Sequence, residues 1–123
     1  MIGRLKKRRD FLAAAQGSKA ARRAFVLEAR ERGDDGPPRF GFTVTKRVAK
    51  KAVERNRIRR RLREAVRLDA ANAQAGHDYV LVGRRKALTE PFSDLKATLG
   101  QALQQVADFP NSGRDGDARR TGR

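Results

Sequence analysis

Several residue types and patterns are missing from this chain, and each absence removes a class of protein. The 123 residues include no cysteine, which excludes a disulfide framework and a thiolate zinc site. No apolar run approaches the roughly 18 residues that a membrane-spanning helix needs. We expect no signal peptide, because no continuous apolar segment follows the basic residues at positions 1–9. The sequence therefore predicts a cytoplasmic protein.

Side chains suited to catalysis or metal binding are also sparse. His77 is the only histidine, and we interpret it as a loop residue. Asp34 and Asp35 lie in a Gly/Pro loop with no third carboxylate nearby, so we interpret them as turn residues. The 14 acidic residues are scattered, whereas a protein nuclease needs spaced carboxylates to hold its metal ions. We therefore predict no catalytic residue and no metal ligand in this chain.

Positive charge is what the chain has in excess, with 30 Lys and Arg residues and a formal net charge of +16. Charge of this size strains a compact protein by self-repulsion, and it is retained where a polyanion neutralises it. The density is highest in Arg39–Arg67, RFGFTVTKRVAKKAVERNRIRRRLREAVR, where Glu54 and Glu64 are the only acids. Nucleic acid is the favoured partner, ahead of an anionic membrane surface.

Hydrophobic periodicity predicts a small α+β domain at 1–107, a mostly antiparallel sheet with helices packed around it. A polar tail at 108–123 is expected to be disordered. The loop between the strands at 24–30 and 39–45 is short, so we expect these two strands to form an antiparallel pair. The predicted elements are helices at 5–16, at 53–71 and from Pro91 onward, strands at 24–30, 39–45 and 78–83, and a short extra strand near Lys19 if one forms there.

The long helix at 53–71 is predicted to have two different faces. At roughly 100° per residue, Ile58, Leu62 and Val66 fall on one face, which docks on the sheet. The adjacent face lacks the Glu–Lys pairs that stabilise ordinary surface helices by a few tenths of a kcal/mol. Its arginines suit phosphate oxygens, because the planar guanidinium binds them through two parallel hydrogen bonds. The residues of this second face are Asn56, Arg60, Arg63 and Arg67.

Two motifs in this region, FGFTVTKR and ERNRIRRRLREAVR, closely resemble the signature of the bacterial ribonuclease P protein subunit. In that family a strand with a Gly, Val and Ser/Thr core leads into basic residues. An arginine-rich helix follows, opened by an Arg-Asn-Arg triplet that corresponds here to Arg55, Asn56 and Arg57. The segments LKKRRDF and DYVLVGRRKA extend the resemblance more loosely, to about Arg4–Val106.

The resemblance implies a fold and a function. The fold is a ribosomal-protein-like α-β sandwich with the order α-β-β-β-α-β-α, which supports a strand near Lys19. A left-handed crossover is implied between the strands at 39–45 and 78–83, against the usual right-handed rule. In the family, the RNA subunit removes the 5′ leader of precursor tRNA with Mg²⁺, held mainly by the RNA. The implied partners are therefore ribonuclease P RNA and precursor tRNA, with neither a membrane nor DNA.

Two RNA-binding sites are carried over from the resemblance. The arginine-rich helix matches the segment that contacts the catalytic RNA, and the cleft between the first helix and the open sheet face matches the groove for the single-stranded leader. Contacts to the catalytic RNA are expected from Arg55, Asn56, Arg57, Arg59, Arg60, Arg61, Arg63 and Arg67. Contacts to the leader are expected from Lys7, Phe11, Thr43, Thr45, Lys46 and Arg47.

The residues alone leave several hypotheses open. The chain could be an RNA-binding subunit that leaves the chemistry to its partner, or a ribosomal-type RNA-binding protein with the same electrostatics. An arginine helix could also enter the DNA major groove, but we find no helix-turn-helix or dimer seam. Phe11 could be a core residue or an aromatic that stacks on a base. Arg57→Ala and Arg61→Ala are each predicted to flatten the salt dependence of RNA binding.

Overall fold

The apolar segment HDYVLVG forms the central strand of a five-stranded sheet. The computed structural model describes residues 2–108, and the predicted tail lies outside the described residues from position 109 onward. The strands are β1 Gly3–Arg4, β2 Ser18–Ala21, β3 Phe25–Glu31, β4 Arg39–Thr43 and β5 His77–Gly83. The helices are α1 Arg8–Ala15, α2 Ala52–Asp69 and α3 Phe92–Asp108, with a short 3-10 helix at Arg85–Leu88. The order of strands across the sheet is β1-β4-β5-β3-β2.

The predicted antiparallel pairing of the strands at 24–30 and 39–45 is wrong, because β5 lies between them. β3 pairs antiparallel with β5 along its whole length, and β4 pairs parallel with β5 from Arg39↔Asp78 to Thr43↔Val82. β5 is buried at five of its seven positions, and a strand covered on both faces belongs at the centre of a sheet. Antiparallel ladders still make up the larger part of the sheet, as predicted.

Element boundaries differ from the prediction at the N-terminal end. The predicted helix at 5–16 begins only at Arg8, because the Leu5 N–H donates to the Phe40 carbonyl at 2.9 Å and prolongs the pairing of β1 with β4. The strand near Lys19 is confirmed as β2. His77 is the first residue of β5 and stacks on Tyr79 with the ring centroids 5.9 Å apart. The interpretation of His77 as a loop residue is therefore wrong.

The main core lies between one face of the sheet and the helices α2 and α3. The predicted docking face of α2 is confirmed, since Ile58, Leu62 and Val66 are all buried. A Cβ atom added to Gly83 would lie 2.7 Å from Ile58 Cγ2, so the helix packs directly on the backbone of β5. Burying one such aliphatic side chain contributes about 1.5–3 kcal/mol. α3 also buries one face, at Leu95, Leu99, Ala102, Leu103 and Val106.

The opposite face of the sheet is only partly covered, by α1. The ring of Phe11 lies over β4, where a Cβ on Gly41 would come within 2.6 Å of it. Ala14 of this helix is buried together with Leu5 and with Val80 of β5. Next to this covered strip, a row of side chains is left partly open, formed by Thr43, Val82 and Val26, which are register neighbours on β4, β5 and β3. The fold therefore leaves a cleft between α1 and the sheet.

A fully buried carboxylate ties β5 to the segments before and after the 33–38 turn. Asp78 accepts hydrogen bonds from Arg32 Nη1 at 2.7 Å and from Arg39 Nε and Nη2, both at 2.8 Å. Burial raises the pKa of Asp78, but the hydrogen bonds and charges of Arg39 and Arg32 outweigh it and hold that pKa below its ordinary value. Because Arg32 is itself almost fully buried, this network is part of the interior.

Asp34 stabilises the turn beside that network. Its carboxylate accepts hydrogen bonds from Arg32 and from the backbone N–H of Gly36 at 2.9 Å, and these lower the pKa of Asp34 to about 2. A carboxylate that binds the backbone two residues on is typical of a turn. The interpretation of Asp34 as a turn residue is therefore confirmed.

Candidate nucleic-acid interface

The outer face of α2 presents the side chains that the helical spacing predicted. Asn56, Arg60, Arg63 and Arg67 are all exposed, while the other side of the helix docks on the sheet. Arginine has a high helix propensity, so the chain can hold this many positive charges on a helix that tertiary packing stabilises. The face therefore combines a rigid support with a high density of guanidinium groups.

Some arginines of α2 form hydrogen bonds or ion pairs with other groups of the protein. Arg55 Nη1 donates to the carbonyls of Ala49 and Lys50, at 2.9 and 2.7 Å, and fixes the loop before the helix. Arg59 donates to Asn56 Oδ1 at 2.9 Å, and Arg67 forms an ion pair with Glu64. These contacts are exposed or partly exposed, so they restrict the side chains without hiding them.

Three other arginines keep their donors for an external ligand. Within residues 2–108, the guanidinium groups of Arg57 and Arg60 contact no acceptor, and both side chains are exposed. Arg63 lies over the ring of Phe42, with Cζ 5.6 Å from the ring centroid. Such a cation–π contact leaves the N–H groups at the edge of the guanidinium able to donate. The surface best placed to bind phosphate is therefore formed by Arg57, Arg60 and Arg63.

Arg61, which the family resemblance assigns to contacts with the catalytic RNA, binds backbone carbonyls of this protein. Its Nη1 donates to the carbonyls of Ala87 and Leu88 at 2.8 and 3.0 Å, and its Nη2 donates to the carbonyl of Glu90 at 2.6 Å. The guanidinium thus satisfies three carbonyls around the 3-10 helix that follows β5. Because three of its five N–H donors are used in this way, Arg61 holds α2 against this segment.

We expect Arg61→Ala to lower the free energy of unfolding by about 1.5–3 kcal/mol, the range for hydrogen bonds that involve a charged group. Its effect on the salt dependence of RNA binding is expected to be small, which revises the expectation from the sequence. Urea denaturation and RNA binding at several salt concentrations measure the two effects. Arg57→Ala is the matched control, since it should leave stability nearly unchanged and flatten the salt dependence. The opposite pattern in the two variants would contradict this assignment.

The residues expected at the leader lie along the cleft and at one end of it. Phe11 packs on the second apolar cluster, which agrees with its interpretation as a core residue. Its ring stays partly exposed, and stacking on a base remains a prediction. Thr43 lies on the open sheet face, and Thr45, Lys46 and Arg47 follow β4 as an exposed turn in which Thr45 accepts from the N–H of Val48 at 3.1 Å. Lys7 is exposed at the start of α1.

The path of α1 shows how the cleft runs. The helix begins beside β4, where Asp10 lies 3.8 Å from Arg39, and it ends where Gly17 packs on the backbone of Ala29 in β3. It therefore crosses the strands, and the open row of Thr43, Val82 and Val26 follows it across the sheet. An extended chain lying in this cleft would pass over several strands in turn.

Two features of the cleft were not predicted. Glu28 is buried on this sheet face and lies 3.6 Å from Lys19; burial raises the pKa of Glu28, and the charge of Lys19 opposes the rise. Arg84 follows β5 at the same edge as Lys46 follows β4, and Arg84 Nη1 donates to the carbonyl of Arg22 at 2.7 Å. Parallel strands end at the same edge of a sheet, so the pairing of β4 with β5 places Arg84 at the same edge as Lys46. A prediction that paired these two strands would therefore have included Arg84 among the basic residues of this edge.

Among the described residues, no three His, Asp or Glu side chains lie close enough together to hold a metal ion. Nor is any helix within positions 2–108 sufficiently long and apolar to span a lipid bilayer.

Comparisons with known proteins agree with this architecture. The family model described as Ribonuclease P matches residues 3–107. The ribonuclease P protein component of Brucella suis is 42% identical over 99% of this chain and 89% of its own length. That of Gluconacetobacter diazotrophicus is 46% identical over 84% of this chain and 90% of its own.

Solved structures give the same result. The ribonuclease P protein from Thermotoga maritima superposes with a TM-score of 0.71 at 29% identity, covering 84% of this chain and 96% of that one. The protein from Staphylococcus aureus superposes with a TM-score of 0.68 at 28% identity, covering 84% and 94%. These matches do not favour a ribosomal-type protein. The chain belongs to the ribonuclease P protein family, as a component of an endoribonuclease that binds RNA and takes part in tRNA processing.

Proposed function

We propose that the outer face of α2 binds the catalytic RNA of ribonuclease P, while the cleft beside α1 binds the single-stranded 5′ leader of precursor tRNA. The observation that carries the proposal is the exposure of Arg57, Arg60 and Arg63 on a helix whose other side is fixed in the core. A row of guanidinium groups on a helix fixed in this way matches the phosphates of a folded RNA. The complex acts in the cytoplasm.

The cleft supports the second half of the proposal. Single strands are held by a positively charged groove together with aromatic side chains on which bases stack. Phe11 supplies a partly exposed ring, Val26 and Val82 supply an apolar surface, and Lys46 and Arg47 supply positive charge at the end of β4. The partly exposed row of Thr43, Val82 and Val26 crosses three strands, so it suits an extended strand better than a compact ligand.

Cleavage is assigned to the RNA subunit, with Mg²⁺ held mainly by that RNA. The acidic side chains near the two RNA surfaces already have partners: Glu54 pairs with Arg85, Glu64 with Arg67, and Glu28 with Lys19. They lie apart from one another, and the described residues do not fit a metal site held by the protein. The protein then contributes by binding and positioning both RNAs.

A cleavage assay tests this division of roles. The purified chain is incubated with precursor tRNA and Mg²⁺ at low salt, with and without ribonuclease P RNA. We expect no turnover with the protein alone and faster cleavage with both subunits than with the RNA alone. Mature tRNA, which lacks the leader, is the control for binding and should bind the complex more weakly. Multiple turnover by the protein alone would overturn the assignment of catalysis to the RNA.

A further inference from the structure

A pocket opens beside the outer face of α2, where the sheet ends at the short strand β1. Its volume is about 260 Å³, and it lies between β1, β4 and the second half of α2. Phe40 and Val66 form its buried base, and Phe42 and Ile2 form partly exposed apolar walls. Pockets for drug-sized ligands measure about 300–1,000 Å³, so this one suits a smaller planar group.

The mouth of the pocket is positively charged. Three arginines line it, Arg4, Arg63 and Arg67, and all three are exposed. Within residues 2–108 the guanidinium of Arg4 contacts no acceptor, and Glu64 is the carboxylate paired to Arg67. Apolar walls disfavour a buried ion, whereas the mouth attracts a negative charge. The pocket therefore fits a ligand with a flat, weakly polar part and an adjacent anionic group.

A nucleotide has this combination of parts. We infer that the pocket takes one unstacked nucleobase of the RNA bound by α2, with its phosphate held by Arg4, Arg63 and Arg67. The base stacks on the ring of Phe42, and the exposed Arg63 moves aside from that ring to contact the phosphate. This inference rests on the proposed binding of RNA by α2, because Arg63 and Arg67 of the outer face of α2 line the pocket.

The isolated protein provides the first test. Adenosine monophosphate is titrated into the chain labelled at the methyl groups of Val66 and Ile2, with ribose 5-phosphate and inorganic phosphate as comparisons. We expect saturable methyl shifts with the nucleotide and none of that size with the two phosphates. Phe42→Leu should weaken nucleotide binding by about tenfold, in line with the loss of a base–aromatic stack. Phe92→Leu is the matched control, since Phe92 packs on the core outside the pocket.

Two results of this titration would overturn the inference. The first is an equal response to inorganic phosphate, because the pocket would then be a site for anions alone. The second is an unchanged affinity for the nucleotide in Phe42→Leu, because the ring would then have no part in binding.

Binding to ribonuclease P RNA gives the second test and separates the inference from the function on which it rests. Phe42→Leu should weaken binding by about tenfold without changing the salt slope, because it removes a stack and no phosphate contact. If Phe42→Leu does not fold, Ile2→Glu replaces it, since Ile2 is 41% exposed. Leu68→Glu, at a position 48% exposed on α2 and outside the pocket, is then the control.

The outcomes of the RNA test differ for the two proposals. If Arg60→Gln lowers the salt slope but both pocket variants bind the RNA like the wild type, the pocket inference fails and the binding by α2 stands. If the wild-type chain does not bind ribonuclease P RNA at low salt, the proposed function itself fails.

Discussion

Replacing Asp78 by Ala is expected to lower the free energy of unfolding by about 3–5 kcal/mol. The substitution leaves Arg32 without its interior carboxylate, and Arg32 is only 8% exposed. Arg32 keeps the exposed Asp34 as a partner, but the hydrogen bonds of Arg32 and Arg39 to Asp78 are lost. Removing one partner of a buried charge pair costs more than the pair itself contributes. Since domains are stable by only about 5–15 kcal/mol, the loss removes a large share of the total. Urea denaturation followed by circular dichroism measures it.

The pH dependence of this loss in unfolding free energy tests whether the charge of Asp78 causes it. The pKa of Asp78 is lowered from its ordinary value of 3.8 in the folded protein, so the stabilising charge is fully present above that ordinary value. It is lost as the pH falls through the lower folded pKa. We therefore expect the difference in unfolding free energy between the wild type and Asp78→Ala to be constant near neutral pH and to shrink below about pH 4.

Asp35→Ala is the control for this experiment, because Asp35 is an exposed acid in the neighbouring turn. It removes the same charge and should leave the unfolding midpoint nearly unchanged. A loss in Asp78→Ala no larger than that in Asp35→Ala would show that the buried network does not stabilise the fold. A difference that stays constant down to pH 2 would show that the charge of Asp78 is not its source.

Local patterns in the sequence predicted most of the elements and both faces of α2. The spacing of Ile58, Leu62 and Val66 identified the side of the helix that docks, because amphipathic periodicity follows directly from helix geometry. The strand at 39–45 was likewise predicted from the local pattern of residues and is observed as β4 at Arg39–Thr43. Each of these depends on neighbours within a few residues along the chain.

The features that the sequence missed depend on contacts between distant segments. The central position of β5 could not be deduced from a short loop, since strand order is decided by which strand is buried on both faces. The network of Asp78 joins Arg32 and Arg39, which lie 46 and 39 residues earlier. Arg61 looked like any other arginine of α2 until the carbonyls 26–29 residues downstream were placed beside it. The residues expected to contact the leader were identified from the family resemblance and not from local patterns in the sequence.

The variant Arg57→Gln/Arg60→Gln is expected to weaken binding to ribonuclease P RNA by about 25–60-fold near 0.1 M salt. Each phosphate contact contributes about 0.7–0.9 to the slope of log affinity against log salt, so the slope should fall by about 1.4–1.8. Both guanidinium groups contact no acceptor within residues 2–108, so their loss should not disturb the fold. Filter binding at several salt concentrations measures the slope, and thermal unfolding checks stability.

Lys96→Gln on α3 removes one positive charge outside α2 and is the control for net charge. It should leave the salt slope at the wild-type value, whereas Arg60→Gln should lower the slope. An equal reduction of the slope in Lys96→Gln and Arg60→Gln would mean that net charge, rather than the face of α2, determines the affinity. In that case the arrangement of arginines on α2 would have no specific part in binding.

Arg57→Lys/Arg60→Lys separates charge from geometry. Lysine restores the positive charge, so the salt slope should return to the wild-type value. Affinity should recover only in part, because an ammonium group cannot form the two parallel hydrogen bonds of a guanidinium to phosphate. Full recovery would show that α2 binds the RNA as a general polycation. Partial recovery with a restored slope would show that it recognises phosphates at fixed positions, which is what a helix docked rigidly through Ile58 and Leu62 can provide.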